Sequence, residues 1–279
     1  MAGAGLRNPK IRPPAVAGQF YAADRRLLQT TVSALLADAP PANELIPKAL
    51  IAPHAGYVYS GRVAASAFAT LRASAPSIKR VVLIGPTHYI PVRGIAAPTV
   101  EAFQTPLGTV PVDRGLLAAI ADLPFVAASD LPHAPEHAIE VELPFLQSVL
   151  PAFTVAPLLI GDATPREVAD VLRRLWGGPE TLIVVSSDLS HFHDYDTARR
   201  IDAATAAIIE RGGWANLGPD RACGFLCVAG LLLEAGRRRL PAQRLSLCNS
   251  GDTAGSRDRV VGYGAWMIEQ VATQQDSAR

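Results

Sequence analysis

The sequence predicts a single α/β domain spanning residues 1–279, with a mostly parallel central sheet covered by helices on both faces. Three observations predict it. Short β-branched or aliphatic runs alternate with longer amphipathic runs, the rhythm of βαβ units. A chain of 279 residues that is 49% hydrophobic can bury one sizeable core. No repeat, low-complexity tract or long charge block divides it, and the only linker-like stretch, DAPPANELIP at 38–47, is short.

In chain order, the apolar run Ala49–Ala52 reads as a buried strand, and Arg62–Leu71 carries apolar residues at helical spacing. Val81–Ile84 is a second strand. TVEAFQTPLGTVPVD at 99–113 alternates and turns at Pro106-Leu107-Gly108, as a hairpin would. Ala138–Leu150 is a predicted helix, followed by strand Val155–Ile160, helix Arg166–Leu175 and strand Leu182–Ser186. Helices Thr197–Arg211 and Gly224–Arg238 precede the last two strands, Leu245–Leu247 and Val260–Met267.

Charge and cysteine usage narrow the function classes. Lys+Arg of 26 against Asp+Glu of 25 leaves no long-range field to collect nucleic acid or anionic lipid. The opening MAGAGLRNPKIRPPAV has no continuous apolar stretch, and CVAGLLL is too short for a bilayer, so neither export nor membrane residence is expected. Three cysteines, Cys223, Cys227 and Cys248, fit a reducing cytoplasm better than a disulfide scaffold. Cys223 and Cys227, four apart on an apolar helix, are expected on one core-facing side.

The polar chemistry collects at strand ends. KALIAPHAGY, RVVLIGPTHY and LIVVSSDLSH each run from apolar residues into a turn and then a histidine. Ligands of open α/β sheets bind outside the carboxyl ends of the strands, so His54, His88 and His191 are predicted to converge on one crevice. One such histidine alone would more often hydrogen-bond a carbonyl. Three at equivalent ends, with a carboxylate nearby, form a metal-site hypothesis. In APEHAIEVELPFL, helical spacing puts Glu136 and Glu140 on one face with His137 close by, and helix capping is the alternative use for these acids. Asp188, three residues before His191, is placed to orient that imidazole. A serine-hydrolase reading of Ser186, Ser187, Asp188 and His191 fails, because one crowded loop does not reach triad geometry and no G-x-S-x-G elbow occurs. His133 and His193 read as loop residues, and RRR at 237–239 as a helix end.

Seven ordered stretches carry a resemblance. RPPAVAGQFY, IAPHAGYVYSG, LIGPTHY, TPLGTVPVD, EHAIEVELPFLQ, VVSSDLSHF, and SGDTAG with VVGYGAW together resemble the Memo family, known in microbes as protein B of the AmmeMemoRadiSam system. The resemblance implies a fold like the LigB-type class III extradiol dioxygenases, in which two histidines and a carboxylate hold Fe(II). It implies His54 and His88 as metal ligands, with Asp188 and His191 as pocket residues and His191 as the acid/base. His137 and Glu140 complete the candidate catalytic set. No cysteine falls in register around SGDTAG, so Asp252 is taken as the third metal ligand. The implied cofactor is a divalent or redox-active metal, iron first and copper or zinc as alternatives. The implied partners are a small chelating substrate, a radical-SAM enzyme and an AMMECR-type protein. A partner-binding protein with a vestigial pocket, or a metal-dependent hydrolase using Glu136 or Glu140, are the rival expectations.

Overall fold

The computed structural model describes residues 10–40 and 45–269. Its chain order is β1 (Ile11–Arg12), α1 (Arg25–Asp38), β2 (Pro47–Ala52), α2 (Tyr57–Phe68), β3 (Arg80–Pro86), β4 (Ile95–Ala97), β5 (Ala102–Thr105), β6 (Gly108–Pro111), α3 (Arg114–Ala118), β7 (Val126–Ala128) and α4 (Leu143–Val149). It continues with β8 (Thr154–Ile160), α5 (Pro165–Leu175), β9 (Thr181–Ser186), β10 (His191–His193), α6 (Tyr195–Glu210), α7 (Phe225–Arg237), β11 (Ala242–Asn249) and β12 (Val260–Glu269).

The centre of the main sheet is four parallel strands in the order β2-β9-β3-β8. β2 and β9 are buried along their whole length, as strands covered on both faces must be. The flanks differ from this parallel centre. β12 runs antiparallel to β2 and also pairs with β10 and β11, while β4 runs antiparallel to β8. α2 packs on β2 and β12 with α1 and α4 behind it, and α7 packs on β3 and β9 with α5 beside it. One continuous apolar core fills the space between these layers.

The predicted hairpin is present, with β5 and β6 paired antiparallel and β1 added beside β5. Gly108 sits at φ 141°, a backbone region open to glycine but not to most side chains. Two predicted helices start elsewhere. α2 begins at Tyr57, five residues before the expected Arg62, and runs into a 3₁₀ turn at Ala69–Leu71. The helix expected from Ala138 begins only at Leu143, after a 3₁₀ turn at Glu140–Glu142, because the acids upstream make tertiary hydrogen bonds incompatible with a regular helical turn. Asp24 caps α1 by accepting from the N–H of Leu27, and Thr164 with Glu167 forms a capping box on α5. Of the linker-like 38–47 stretch, residues 41–44 lie outside the described residues, as do residues 1–9 of the opening segment. Among the described residues, no helix is long and apolar enough to cross a membrane.

Candidate metal centre

β9 lies between β2 and β3, so three parallel strands end side by side. Two residues beyond the last residue of each strand stands a polar group: His54 after Ala52, His88 after Pro86 and Asp188 after Ser186. Equal overhang on adjacent parallel strands is what brings them together. Asp188 fixes the bend after β2, its Oδ1 accepting from the backbone N–H of His54 at 2.9 Å. The His54 ring is buried, and its Nδ1 lies 2.8 Å from Ser186 Oγ, back at the end of β9.

His88 is held by Glu136. The carboxylate accepts from the His88 backbone N–H at 2.6 Å, and Glu136 Oε1 lies 2.9 Å from His88 Nδ1. The same oxygen accepts from the backbone N–H groups of His137 and Ala138 at 2.9 and 3.0 Å. Burial alone would push the Glu136 pKa up. The His88 ring and the backbone donors more than offset this and hold it at about 2. Glu136 is therefore an ionised, fully employed carboxylate that orients His88.

The rings of His54 and His88 approach edge to face with centroids 5.1 Å apart, and the His137 ring stacks on His88 at 4.7 Å. Cys223 closes the group, with Sγ 3.4 Å from His54 Nε2. One ligand atom from each of His54, His88 and Cys223 lies within 4.8 Å of the others. His88, Glu136 and His137 form a second such group. There the Glu136 oxygens already serve the hydrogen bonds just described, so the first group is the better cation site.

The donor chemistry of this first group fits a metal. Burial, with the His88 charge next, lowers the His54 pKa to about 3, so its imidazole is neutral and ready to ligate. Burial, followed by the Asp188 charge, pushes the Cys223 thiol up to about 12. Without a cation it is a thiol, and a cation entering the site displaces its proton. Two imidazoles and one thiolate suit iron, copper or zinc better than a hard cation such as Mg²⁺.

Cys223 corrects the expected core helix face. α7 begins at Phe225, which leaves Cys223 half-buried on the preceding turn, while Cys227 is buried in the helix as expected. Close packing holds that turn on the end of β9. A Cβ on Gly224 would come within 2.7 Å of Ser187 Cβ and 2.8 Å of the Ser186 carbonyl oxygen. The Gly224 N–H also donates to Ser187 Oγ at 3.0 Å, and the Asp188 N–H points at Cys223 Sγ at 3.3 Å. In the sequence, the glycine directly after Cys223 was the available signal that this cysteine precedes the helix.

Asp252, the expected third ligand, is not brought to the imidazoles. It is exposed on a 3₁₀ turn, where it accepts from the Tyr195 hydroxyl and from the Asn249 N–H at 3.0 Å. It faces a recess of about 750 Å³ shared with Phe20, Tyr59 and Arg62.

Glu140 is likewise kept from the site, and it does not share a helix face with Glu136. It is fully buried and accepts from the Arg12 guanidinium, the Tyr21 hydroxyl, and the N–H groups of Ala15 and Val16 at 2.6 and 3.0 Å. Arg12 also donates to the carbonyls of His133 and Glu136, at 3.0 and 2.5 Å. This clasp ties residues 12–21 across the site and sets the Phe20 ring 4.7 Å from His137. Every oxygen of Glu136 and Glu140 already accepts at least one hydrogen bond from the chain.

His137 lies within the ring cluster. Its Nδ1 is 3.3 Å from Glu136 Oε1 but lacks hydrogen-bond alignment, so it stays unpartnered among the described residues. Asp188 is buried, and burial raises its pKa against the opposing charge of His191. His191 stands half-buried on β10, where pairing with β12 is interrupted by a bulge and Phe192 adopts φ 63°.

The family description "Memo-like protein" matches residues 12–267. A MEMO1 family protein of Aquifex aeolicus is 33% identical over 266 residues, covering 91% of this chain and 97% of that relative. One from Methanosarcina mazei is 34% identical over 282 residues, covering 93% and 100%. Against the crystal structure of an uncharacterized protein from Escherichia coli K12 the TM-score is 0.49, at 14% identity over 77% of this chain and 98% of that one, a level too low to weigh.

Proposed function

Because this chain belongs to the Memo family, we propose that it binds a transition-metal cation between His54, His88 and Cys223, with iron as the metal and oxidation of a small chelating substrate as the chemistry. One observation carries this reading. Two imidazoles beyond the carboxyl ends of β2 and β3 and a thiol from the turn before α7, three separate segments of the chain, meet within 4.8 Å.

When bound, iron supplies Lewis acidity and one-electron redox capacity. The chain's own residues do the rest. Glu136 holds the His88 ring from its Nδ1 side, which leaves Nε2 free to ligate. Asp188 fixes the backbone turn that presents His54. The Phe20 and Tyr89 rings cover His137, with centroids 4.7 and 5.7 Å away, and limit water around the imidazoles. On this reading His191, half-buried and outside the ligand group, takes the role of holding or moving a proton for substrate.

Purification without oxygen, loading with Fe(II) and elemental analysis test the ligand set. Wild type should retain one equivalent, and His54→Ala, His88→Ala and Cys223→Ser should each lose it. Undiminished metal in all three variants would end the assignment, and oxygen uptake over a panel of vicinal diols tests the chemistry.

A second reading is that this face docks a protein partner, for which a radical-SAM enzyme and an AMMECR-type protein are the candidates. One observation favours it. Tyr89 and Phe192, adjoining His88 and His191 in the chain, are 54% and 61% exposed, which is high for aromatic side chains. Phe192→Ser should abolish co-purification with such partners while leaving metal content intact.

A further inference from the structure

Ser186 Oγ has three close polar neighbours and a single hydrogen. It lies 2.7 Å from the Ala138 carbonyl oxygen, 2.6 Å from Glu142 Oε1 and 2.8 Å from His54 Nδ1. A hydroxyl donates once and accepts twice. The Ala138 carbonyl can only accept, so it takes the Ser186 hydrogen. The other two contacts must then bring hydrogens of their own, Glu142 as the O–H of a carboxylic acid and His54 as Nδ1–H. An ionised Glu142 would compete with the Ala138 carbonyl for one hydrogen and leave two lone pairs facing each other in a buried space.

The surroundings of Glu142 agree with this count. The residue is fully buried, and its Oε2 has no hydrogen-bond partner among the described residues, a position far costlier for a carboxylate than for a neutral acid. Burial, reinforced by the Asp188 charge, raises its pKa. With Nδ1 carrying the hydrogen, the lone pair of His54 sits on Nε2, the nitrogen that faces Cys223 Sγ at 3.4 Å.

We propose that Ser186, its single hydrogen held by the Ala138 carbonyl and Glu142 donating to it as a neutral acid, is a positioning residue that locks His54 in the Nδ1–H tautomer and so presents Nε2 to the cation. The presentation to a cation rests on the metal reading above; the tautomer lock does not. The two imidazoles of the site are thus oriented by unlike partners, His88 by a carboxylate and His54 by a hydroxyl whose own hydrogen is already committed to a carbonyl.

Long-range ¹H–¹⁵N spectra of metal-free protein labelled on its six histidines test the lock, with His54 identified by its loss in His54→Gln. Wild type should show the Nδ1–H form. Glu142→Gln, whose amide N–H replaces the acid O–H, should keep that form and bind Fe(II) as wild type does. Ser186→Ala should populate the Nε2–H form and weaken Fe(II) binding by about 10–100-fold, as loss of an outer partner of a ligating histidine does, whereas Glu142→Leu, which leaves the Ser186–Ala138 bond in place, should keep the Nδ1–H form. An Nε2–H His54 in wild type, or loss of the Nδ1–H form in Glu142→Gln, would overturn the lock whatever the metal content. An Nδ1–H His54 in a wild type that binds no Fe(II) would uphold the lock and overturn the metal reading.

Discussion

The buried clasp between Arg12 and Glu140 offers a sharp test of how the site is held. Arg12 is 3% exposed and Glu140 fully buried, so Glu140→Ala leaves a guanidinium in the interior without its counter-charge. Breaking a buried pair in this way costs about 3–5 kcal/mol. The N–H groups of Ala15 and Val16 lose their acceptor as well, at about 1–3 kcal/mol for each that stays dry. Taking about 4 kcal/mol as a conservative sum, and about 2–4 °C of Tm per kcal/mol for a domain near this size, thermal unfolding should shift down by roughly 10 °C in calorimetry. Arg12→Met/Glu140→Leu should recover a large part of the loss, because the stranded charge is gone while the backbone donors remain unpaired. A shift below about 2 °C for Glu140→Ala, or a double variant that fares worse than the single one, would refute the claim that a buried charge pair holds residues 12–21 in place.

Three further outcomes are expected. Gly224→Ala should cut Fe(II) binding more than it cuts stability, since the added Cβ pushes the turn bearing Cys223 off the end of β9; a loss of stability with full metal content would contradict this. Asp252→Asn should leave metal content unchanged, and loss of metal in that variant would return Asp252 to the ligand set. Burial raises the Asp202 pKa to about 6, and its Oδ2 has no partner among the described residues. A raised carboxyl pKa favours the folded state while the group is protonated, so its contribution is present below about pH 4 and lost as pH rises through about 6. Asp202→Asn should remove that loss and stabilise the protein at pH 7 by up to about 3 kcal/mol, by the free energy of a two-unit shift; denaturant curves at pH 4 and 7 with no difference in the variant's advantage would contradict it.

Much of this architecture is legible in the sequence because burial and strand ends leave periodic marks. The fully apolar runs around Leu50, Val82 and Val184 declare strands covered on both faces, and the turn residues after them declare where polar groups collect. His54 and His88 are readable for that reason. Cys223 was obscured by its spacing from Cys227, which matches one helix face if the helix is taken to include both, and only the intervening Gly224 marks the boundary. Glu136 and Glu140 share helical spacing, yet tertiary partners decide their roles. Glu136 meets His88 and Glu140 meets Arg12, 128 residues away in the chain. No local pattern encodes such a pairing. Asp252 differs for the converse reason, since a polar turn near the last strand can spend its carboxylate on its own backbone and on a neighbouring tyrosine, as this one does.

The position of β12 has a consequence for biosynthesis. It is the last of the described strands, yet it fills the slot between β2 and the pair β10 and β11. Until Val260–Glu269 clears the ribosome, β2 keeps one side of its backbone unpaired, immediately before the loop that bears His54. A nascent chain therefore carries an open, fully apolar strand edge from the synthesis of β2 until that of β12, the kind of edge that recruits stray partners and holdase chaperones. Truncations lacking that final segment should accumulate as chaperone-bound or insoluble material and never as a smaller native protein.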